Sequence, residues 1–271
     1  MLQRSPRGRN RLLYSPIYRP AEAARELFED FAINIYTGCT HGCSYCFAPG
    51  VLRRGRDDFS VKVEPYEGIV ESAGAQLEHW KSCGVSGKLV HLCYACDPFP
   101  YGRSYEPTLD IIRMIKESGN NVQILTKNYA GDSGAGERGD IALFRLIELL
   151  GKNDWFGITY DGKRGIYTNA ETMSLEASTV LYQMHHHVNT WVAFEPVLDE
   201  EQVLRFLRGN HQWIDMATFE KLNGRRYPVQ DRGCGRFGQR VSSLCRTLGQ
   251  EYCLKPGLMR DTELLESKVG E

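Results

Sequence analysis

The chain has 271 residues, 42% hydrophobic and 25% charged, and its 33 basic and 34 acidic side chains leave a formal net charge of −1. That balance belongs to an ordinary globular protein and excludes a disordered or collagen-like one. No run approaches the roughly 18 apolar residues of a membrane span, and no apolar stretch follows the basic N-terminus as a secretory signal requires, so a cytoplasmic protein is expected. Neutrality overall leaves only local patches as a source of affinity for nucleic acid.

In chain order, the first twenty residues carry Arg4, Arg7, Arg9, Arg11 and Arg19 and no acid, which reads as an arm, followed by a short helix near Ala21–Phe28. Strand-like runs then recur at Ala32–Tyr36, Lys88–Cys93, Asn121–Thr126, Trp155–Thr159, Thr190–Phe194 and Trp213–Thr218. Helix-like runs lie between most of them, at Pro65–Lys81, Thr108–Glu117, Ile141–Leu150, Leu175–Met184 and Glu200–Leu207. Apolar spacing supports the helices: Leu109, Ile112 and Ile115 share one face, as do Ile141, Phe144 and Leu149. Gly84, Gly119 and Gly151 stand where C-terminal caps are expected. A last helix at Gly238–Leu248 precedes a short strand at Tyr252–Leu254. Trp191, Phe194, Phe206 and Phe219 read as core. Strand–helix alternation implies parallel pairing with helices outside, and six units imply a partial or open barrel. In such folds the reactive groups sit at the C-terminal ends of strands. Gly131–Gly139 reads as a flexible loop inside one unit rather than a domain boundary.

Nine cysteines (39, 43, 46, 83, 93, 96, 234, 245 and 253) are many for a chain without an export signal. The odd count argues against a disulfide framework. Cys39-Thr-His-Gly-Cys43-Ser-Tyr-Cys46 follows the first strand directly, with spacing C-x3-C-x2-C. Three thiolates on one loop can hold three irons of a four-iron cube and leave the fourth iron open to another ligand. Zinc is the rival, because Cys43-x2-Cys46 and Cys93-x2-Cys96 are two C-x2-C pairs. On a continuous strand, however, Cys93 and Cys96 would point to opposite faces, and zinc would leave Cys39 unused.

Residues 36–48 read Tyr-Thr-Gly-Cys-Thr-His-Gly-Cys-Ser-Tyr-Cys-Phe-Ala. This stretch resembles the cysteine motif of the radical S-adenosylmethionine (radical SAM) enzymes, in particular the spore photoproduct lyase branch. The resemblance implies a partial (β/α)6 barrel over about residues 31–255, with residues 1–30 and 256–271 as short N- and C-terminal extensions. It implies a 4Fe-4S cluster on Cys39, Cys43 and Cys46, with Tyr45 as the motif's aromatic residue. S-adenosyl-L-methionine would chelate the open iron and be cleaved to methionine and a 5′-deoxyadenosyl radical, with an electron donor such as flavodoxin or ferredoxin. Asp97, at the end of the second strand, would hold the amino group of S-adenosylmethionine; a turn cap before Pro98 is the plainer reading. Lys127, at the end of the third strand, would pair with the methionyl carboxylate. Glu195-Pro196 after the fifth strand, a cofactor-binding candidate, and Lys221-Leu222-Asn223 after the sixth match the branch as well. The sequence departs from it at Asp97-Pro-Phe-Pro100, and at Tyr94, which stands where the lyase has its hydrogen-donating cysteine. If strand alternation holds, Cys93 and Ala95 share a face with Asp97, which makes Cys93 the candidate hydrogen donor; a buried structural cysteine is the default.

His41 would orient the loop or bond a cluster sulfide, or simply pack. His185, His186 and His187 end a helix and splay around it, so a solvated helix end fits them better than a metal. Arg225, Arg226, Arg232 and Arg236, with Arg240 and Arg246, follow the sixth strand; interleaved with Tyr227 and Phe237, they could track a DNA or RNA backbone, or be a solvated face. The expected function is therefore a radical SAM enzyme acting on a nucleobase or nucleic acid, as a lesion-repairing lyase does. The alternatives are a radical enzyme modifying a peptide or small metabolite, and a zinc-binding module that interacts with nucleic acid.

Overall fold

The computed structural model describes residues 15–128, 140–162, 174–222 and 234–269. Arg4, Arg7, Arg9, Arg11, the Gly131–Gly139 loop, Asn223, Arg225, Arg226, Tyr227 and Arg232 lie outside the described residues.

Each strand expected from the sequence is present, including the short last one at Tyr252–Leu254. Strands β1 (Phe31–Ile33), β2 (Leu89–Leu92), β3 (Asn121–Thr126), β4 (Trp155–Thr159), β5 (Asn189–Val197), β6 (Met216–Lys221) and β7 (Tyr252–Leu254) pair in sequence order. All pairs are parallel and the sheet is open. Helices fill the crossovers: α1 (Ala48–Val51), α2 (Arg56–Val61) and α3 (Ile69–Ser82) after β1, then α4 (Glu106–Glu117), α5 (Asp140–Leu149), α6 (Ser174–His185), α7 (Glu200–Asn210) and α8 (Cys234–Leu248).

Side chains alternate between the two faces of each strand. Leu92, Ile124 and Phe156 are in register and pack with Leu109, Ile112 and Ile115 of α4 in the core between sheet and helices. Burial of these apolar side chains is the main stabilising term, about 1.5–3 kcal/mol each. The other face carries His91, Gln123 and Trp155 in register, together with Trp191. The indole of Trp191 lies against Gly157, where a Cβ would overlap it. The N-terminal segment covers this face: Phe28 meets the Trp155 ring at 5.8 Å, and the buried Glu29 carboxylate accepts from Gln123 Nε2 at 2.9 Å and from the Tyr94 hydroxyl.

Four expectations change. Ala21–Phe28 forms only a 3-10 turn at Glu22–Ala24, and just beyond it the backbone N–H groups of Glu26 and Leu27 donate to the Glu29 carboxylate. β1 stops at Ile33 rather than Tyr36; Asn34 Oδ1 instead accepts from Ala95 N–H at 2.8 Å, steering the chain off the sheet. β2 stops at Leu92, because Cys93 adopts φ +73°, a left-handed conformation that ends a strand. Alternation therefore does not carry Cys93, Ala95 and Asp97 onto one face. Finally, residues 256–271 contain a helix, α9 (Pro256–Val269). It packs on α8 and receives the Glu220 carboxylate at its N-terminus, on the N–H groups of Gly257 and Leu258, where a negative charge is favourable.

Candidate active site at the mouth of the barrel

The cysteine loop leaves the C-terminal end of β1 and is clamped from behind by α2. Gly38 lies against that helix, so a Cβ there would fall on the carbonyl oxygen of Phe59. The same carbonyl accepts from Cys39 N–H at 3.1 Å. Arg56 spans the loop, with Nη1 donating to Cys43 O and Nη2 to Cys46 O, each at 3.1 Å. Arg54 donates to Thr37 O and to Asp58. The three thiols therefore sit on a backbone fixed at both ends. Burial pushes the Cys39 and Cys43 thiols up, while the Lys127 ammonium draws Cys43 the other way.

Loops from the next strands converge on the same place. His41 is fully buried, with Nδ1 3.4 Å from Cys39 Sγ and 3.8 Å from Asp97 Oδ2. Burial holds its imidazole below the ordinary histidine range, hence neutral. Asp97 accepts from Thr126 Oγ1 at 2.7 Å, Lys127 N–H at 2.8 Å and Phe99 N–H at 2.9 Å. It thus forms the turn expected before Pro98 and also ties the end of β2 to the end of β3. The Lys127 ammonium stands 5.9 Å from the centre of the Tyr45 ring, a cation–π contact. Tyr45 donates its hydroxyl to Asp161 beyond β4 at 3.3 Å. Strand ends β1 to β4 are thereby joined around the cysteines.

Cys39, Cys43, Cys46, Tyr45, Asp97 and Lys127 lie on the loops that follow β1, β2 and β3, and the other two candidates, Glu195 and Cys93, have partners of their own. Glu195 Oε2 pairs with Lys255 Nζ at 2.9 Å, and its Oε1 accepts from Thr218 Oγ1 at 2.5 Å; Lys255 also pairs with Glu26. Burial pushes the Glu195 carboxyl up, and Lys255 opposes that shift. Cys93 packs in the core beside the Cys96 thiol, which, after burial, helps to keep Cys93 protonated. Of the arginines expected to meet nucleic acid, only Arg236 among the four named first is described, and it is exposed on α8. Sequence reasoning missed Arg56, Asp161 and Lys255. No spacing rule flags them, because each acts on a residue distant in sequence.

Cysteine thiolates are the usual ligands of iron–sulfur clusters. Three free thiols lie on one clamped loop, and beside them His41 Nε2 and Ser44 Oγ are buried without a hydrogen-bond partner, as groups facing a missing polar ligand would be. Among the described residues no three His, Cys, Asp or Glu side chains gather around one point as the ligands of a single ion do. A cube asks instead for one sulfur at each of three irons.

The open parallel β/α barrel is a fold shared with solved structures. The chain is similar in structure to a spore photoproduct lyase variant solved with AdoMet and dinucleoside spore photoproduct bound, with a TM-score of 0.63 at 9% identity over 86% of this chain and 78% of that one. A second spore photoproduct lyase structure, complexed with the dinucleoside spore photoproduct, gives 0.59 at 10% identity over the same shares. SuiB of Streptococcus suis gives 0.54 at 12% identity, over 82% of this chain and 49% of SuiB. No family model and no curated protein sequence matches the chain.

Proposed function

We propose that this protein is a radical SAM enzyme carrying a 4Fe-4S cluster on Cys39, Cys43 and Cys46, and that it acts on a modified nucleobase in nucleic acid. The observation that carries the reading is the clamped C-x3-C-x2-C loop at the mouth of this particular fold. Cys39, Cys43 and Cys46 would hold the cluster, which when bound would supply the electron for reductive cleavage of S-adenosylmethionine.

The chain's own residues would bind and orient. Lys127, which has no carboxylate partner among the described residues, offers its charge to the methionyl carboxylate. Tyr45 holds that ammonium in place. Asp97 braces the ends of β2 and β3, so that any contact with the amino group is made from a fixed position. Cys93, its thiol kept protonated by burial, is the candidate donor of a hydrogen atom to the product radical. The nucleobase substrate is proposed from the dinucleoside in the lyase structures and from exposed Arg236. Free thiols suit a reducing cytoplasm, where flavodoxin or ferredoxin would deliver the electron.

Anaerobic incubation of reconstituted protein with S-adenosylmethionine, dithionite and a deuterated dinucleoside lesion tests the reading. Methionine and deuterium-labelled 5′-deoxyadenosine are expected. Cleavage without label from the dinucleoside, but with label from a peptide or small metabolite, would replace the substrate half. Absence of cleavage would overturn the whole.

A further inference from the structure

Cys93-Tyr-Ala-Cys96 is a C-x2-C pair that the proposed cluster does not use. On a continuous strand, residues three apart face opposite sides. The chain removes that obstacle: β2 ends at Leu92, Cys93 takes φ +73°, and residues 94–96 bend. The Cys96 thiol thereby becomes a side-chain hydrogen-bond partner of the Cys93 thiol. A left-handed φ is disfavoured for any residue with a β-carbon, and such residues gather at functional positions. Among the described non-glycine residues only Arg53 shares it.

The turn is pinned along its length. Cys93 N–H donates to Ile33 O at 2.8 Å, the Tyr94 hydroxyl to Glu29, and Ala95 N–H to Asn34 Oδ1 at 2.8 Å. Just beyond it, the Asp97 carboxylate is held by Thr126 and Lys127. The two sulfurs are therefore held as neighbours. Both are free thiols, and among the described residues no third His, Cys, Asp or Glu joins them around a metal ion. They differ in access: Cys93 is 5% exposed, whereas Cys96 is half-buried. A reachable thiol beside a second cysteine is the arrangement in which reversible disulfides form.

We infer that Cys93 and Cys96 are a thiol–disulfide exchange site that closes reversibly against a low-molecular-weight disulfide. The Cys96 thiolate attacks one sulfur of the incoming disulfide, breaks its S–S bond and releases one thiolate, leaving a mixed disulfide on Cys96. Cys93 then loses its proton and attacks the Cys96 sulfur, which forms the Cys93–Cys96 bond and releases the second thiolate. The two protein protons end on the two released thiols; the incoming disulfide gains two electrons and the pair loses two. A dithiol reverses the sequence. Burial and the neighbouring Cys96 keep Cys93 protonated, so the reduced pair gains no thiolate stabilisation over the disulfide. Cys96 directly precedes Asp97, so closure takes place beside the proposed cofactor site, and a closed Cys93 has no S–H hydrogen to give. That consequence alone rests on the donor role proposed above.

The test equilibrates the full chain, anaerobically reconstituted, with glutathione and a rising share of glutathione disulfide, then quenches in acid, alkylates and digests with trypsin. Residues 89–103 form one tryptic peptide with no other cysteine. Its unalkylated form, lighter by two hydrogens than the dithiol, should grow to more than half as the buffer becomes oxidising, and vanish on adding dithiothreitol. Cys93→Ser should trap glutathione on Cys96. A peptide alkylated at both cysteines throughout, in samples where exposed Cys83 takes up glutathione, would overturn the inference. So would glutathione on Cys96 of the parent that Cys93 never displaces, or none trapped on Cys96 in the variant. Iron does not enter this readout: a chain that closes the bond but binds no cluster refutes only the proposed function, and a chain that binds the cluster but never closes the bond refutes only the exchange site.

Discussion

The two halves of the barrel mouth carry similar residues in opposite electrostatic states. On the β5–β7 side, Lys255 lies between Glu195 and Glu26, Thr218 satisfies the free oxygen of Glu195, and Lys221 pairs with Asp261 at 2.5 Å. Charge there is answered within the chain. On the β1–β3 side stand three free thiols, an imidazole with one bare nitrogen and a lysine over an aromatic ring with no carboxylate partner among the described residues. Buried polar groups are ordinarily satisfied. The first half is satisfied within the chain, and the second is where the proposed ligands would sit.

Exchanging the two lysines breaks this comparison most sharply. Lys255→Met leaves Glu195 and Glu26 without their cation, and removing one partner of a buried ion pair costs about 3–5 kcal/mol. Lys127→Met should leave chemical denaturation almost unchanged, within about 0.5 kcal/mol, yet weaken S-adenosylmethionine binding at least about tenfold, the loss of one charge-assisted contact. Equal destabilisation by both would show that the halves do not differ in kind.

Gly38→Ala acts on the clamp rather than on a charge. Its Cβ would press on Phe59 O, so α2 and the cysteine loop must separate, at about 1–3 kcal/mol. Iron retained after desalting should fall with it. Full iron retention at parental stability would mean that the close approach is unimportant.

The smallest effect is a pH dependence from the floor of the barrel. Burial holds the His91 imidazole below its ordinary value, so the unfolded chain takes up a proton first as the solution acidifies. Stability is intact above the unfolded histidine value of about 6.5 and declines as pH falls below it. Glu29 adds a second decline below the carboxylate range: burial alone would raise its pKa, but the Tyr94 hydroxyl, the His91 side chain and two backbone N–H groups bring it below the ordinary value. Urea midpoints at pH 7.5, 5.5 and 4 should descend in that order; a rise between 7.5 and 5.5 would contradict the His91 assignment.

Much of this was legible in the sequence because periodicity reports burial. Leu109, Ile112 and Ile115 repeat on one helix face because they meet one sheet. The cysteine loop was legible from its spacing, and Asp97 and Lys127 from their positions at strand ends. What stayed hidden has physical reasons. Helices α1 and α2 are too short to show a period. The left-handed turn at Cys93 comes from a residue that rarely adopts it, so no composition signal marks it. Glu195 was a cofactor-binding candidate from the Glu-Pro resemblance, and its pairing with Lys255, sixty residues further along the chain, leaves no local trace in the sequence. Arg56 and Gly38 act through backbone carbonyls, which the sequence does not distinguish.

The most direct measurement is iron and acid-labile sulfide per chain after anaerobic reconstitution, followed by electron paramagnetic resonance of the reduced protein with and without S-adenosylmethionine. About four of each per chain are predicted, lost in Cys39→Ala, with a signal that shifts when S-adenosylmethionine is added because one iron is open to it. A colourless protein holding one zinc per chain, or a cluster signal indifferent to S-adenosylmethionine, would contradict the account.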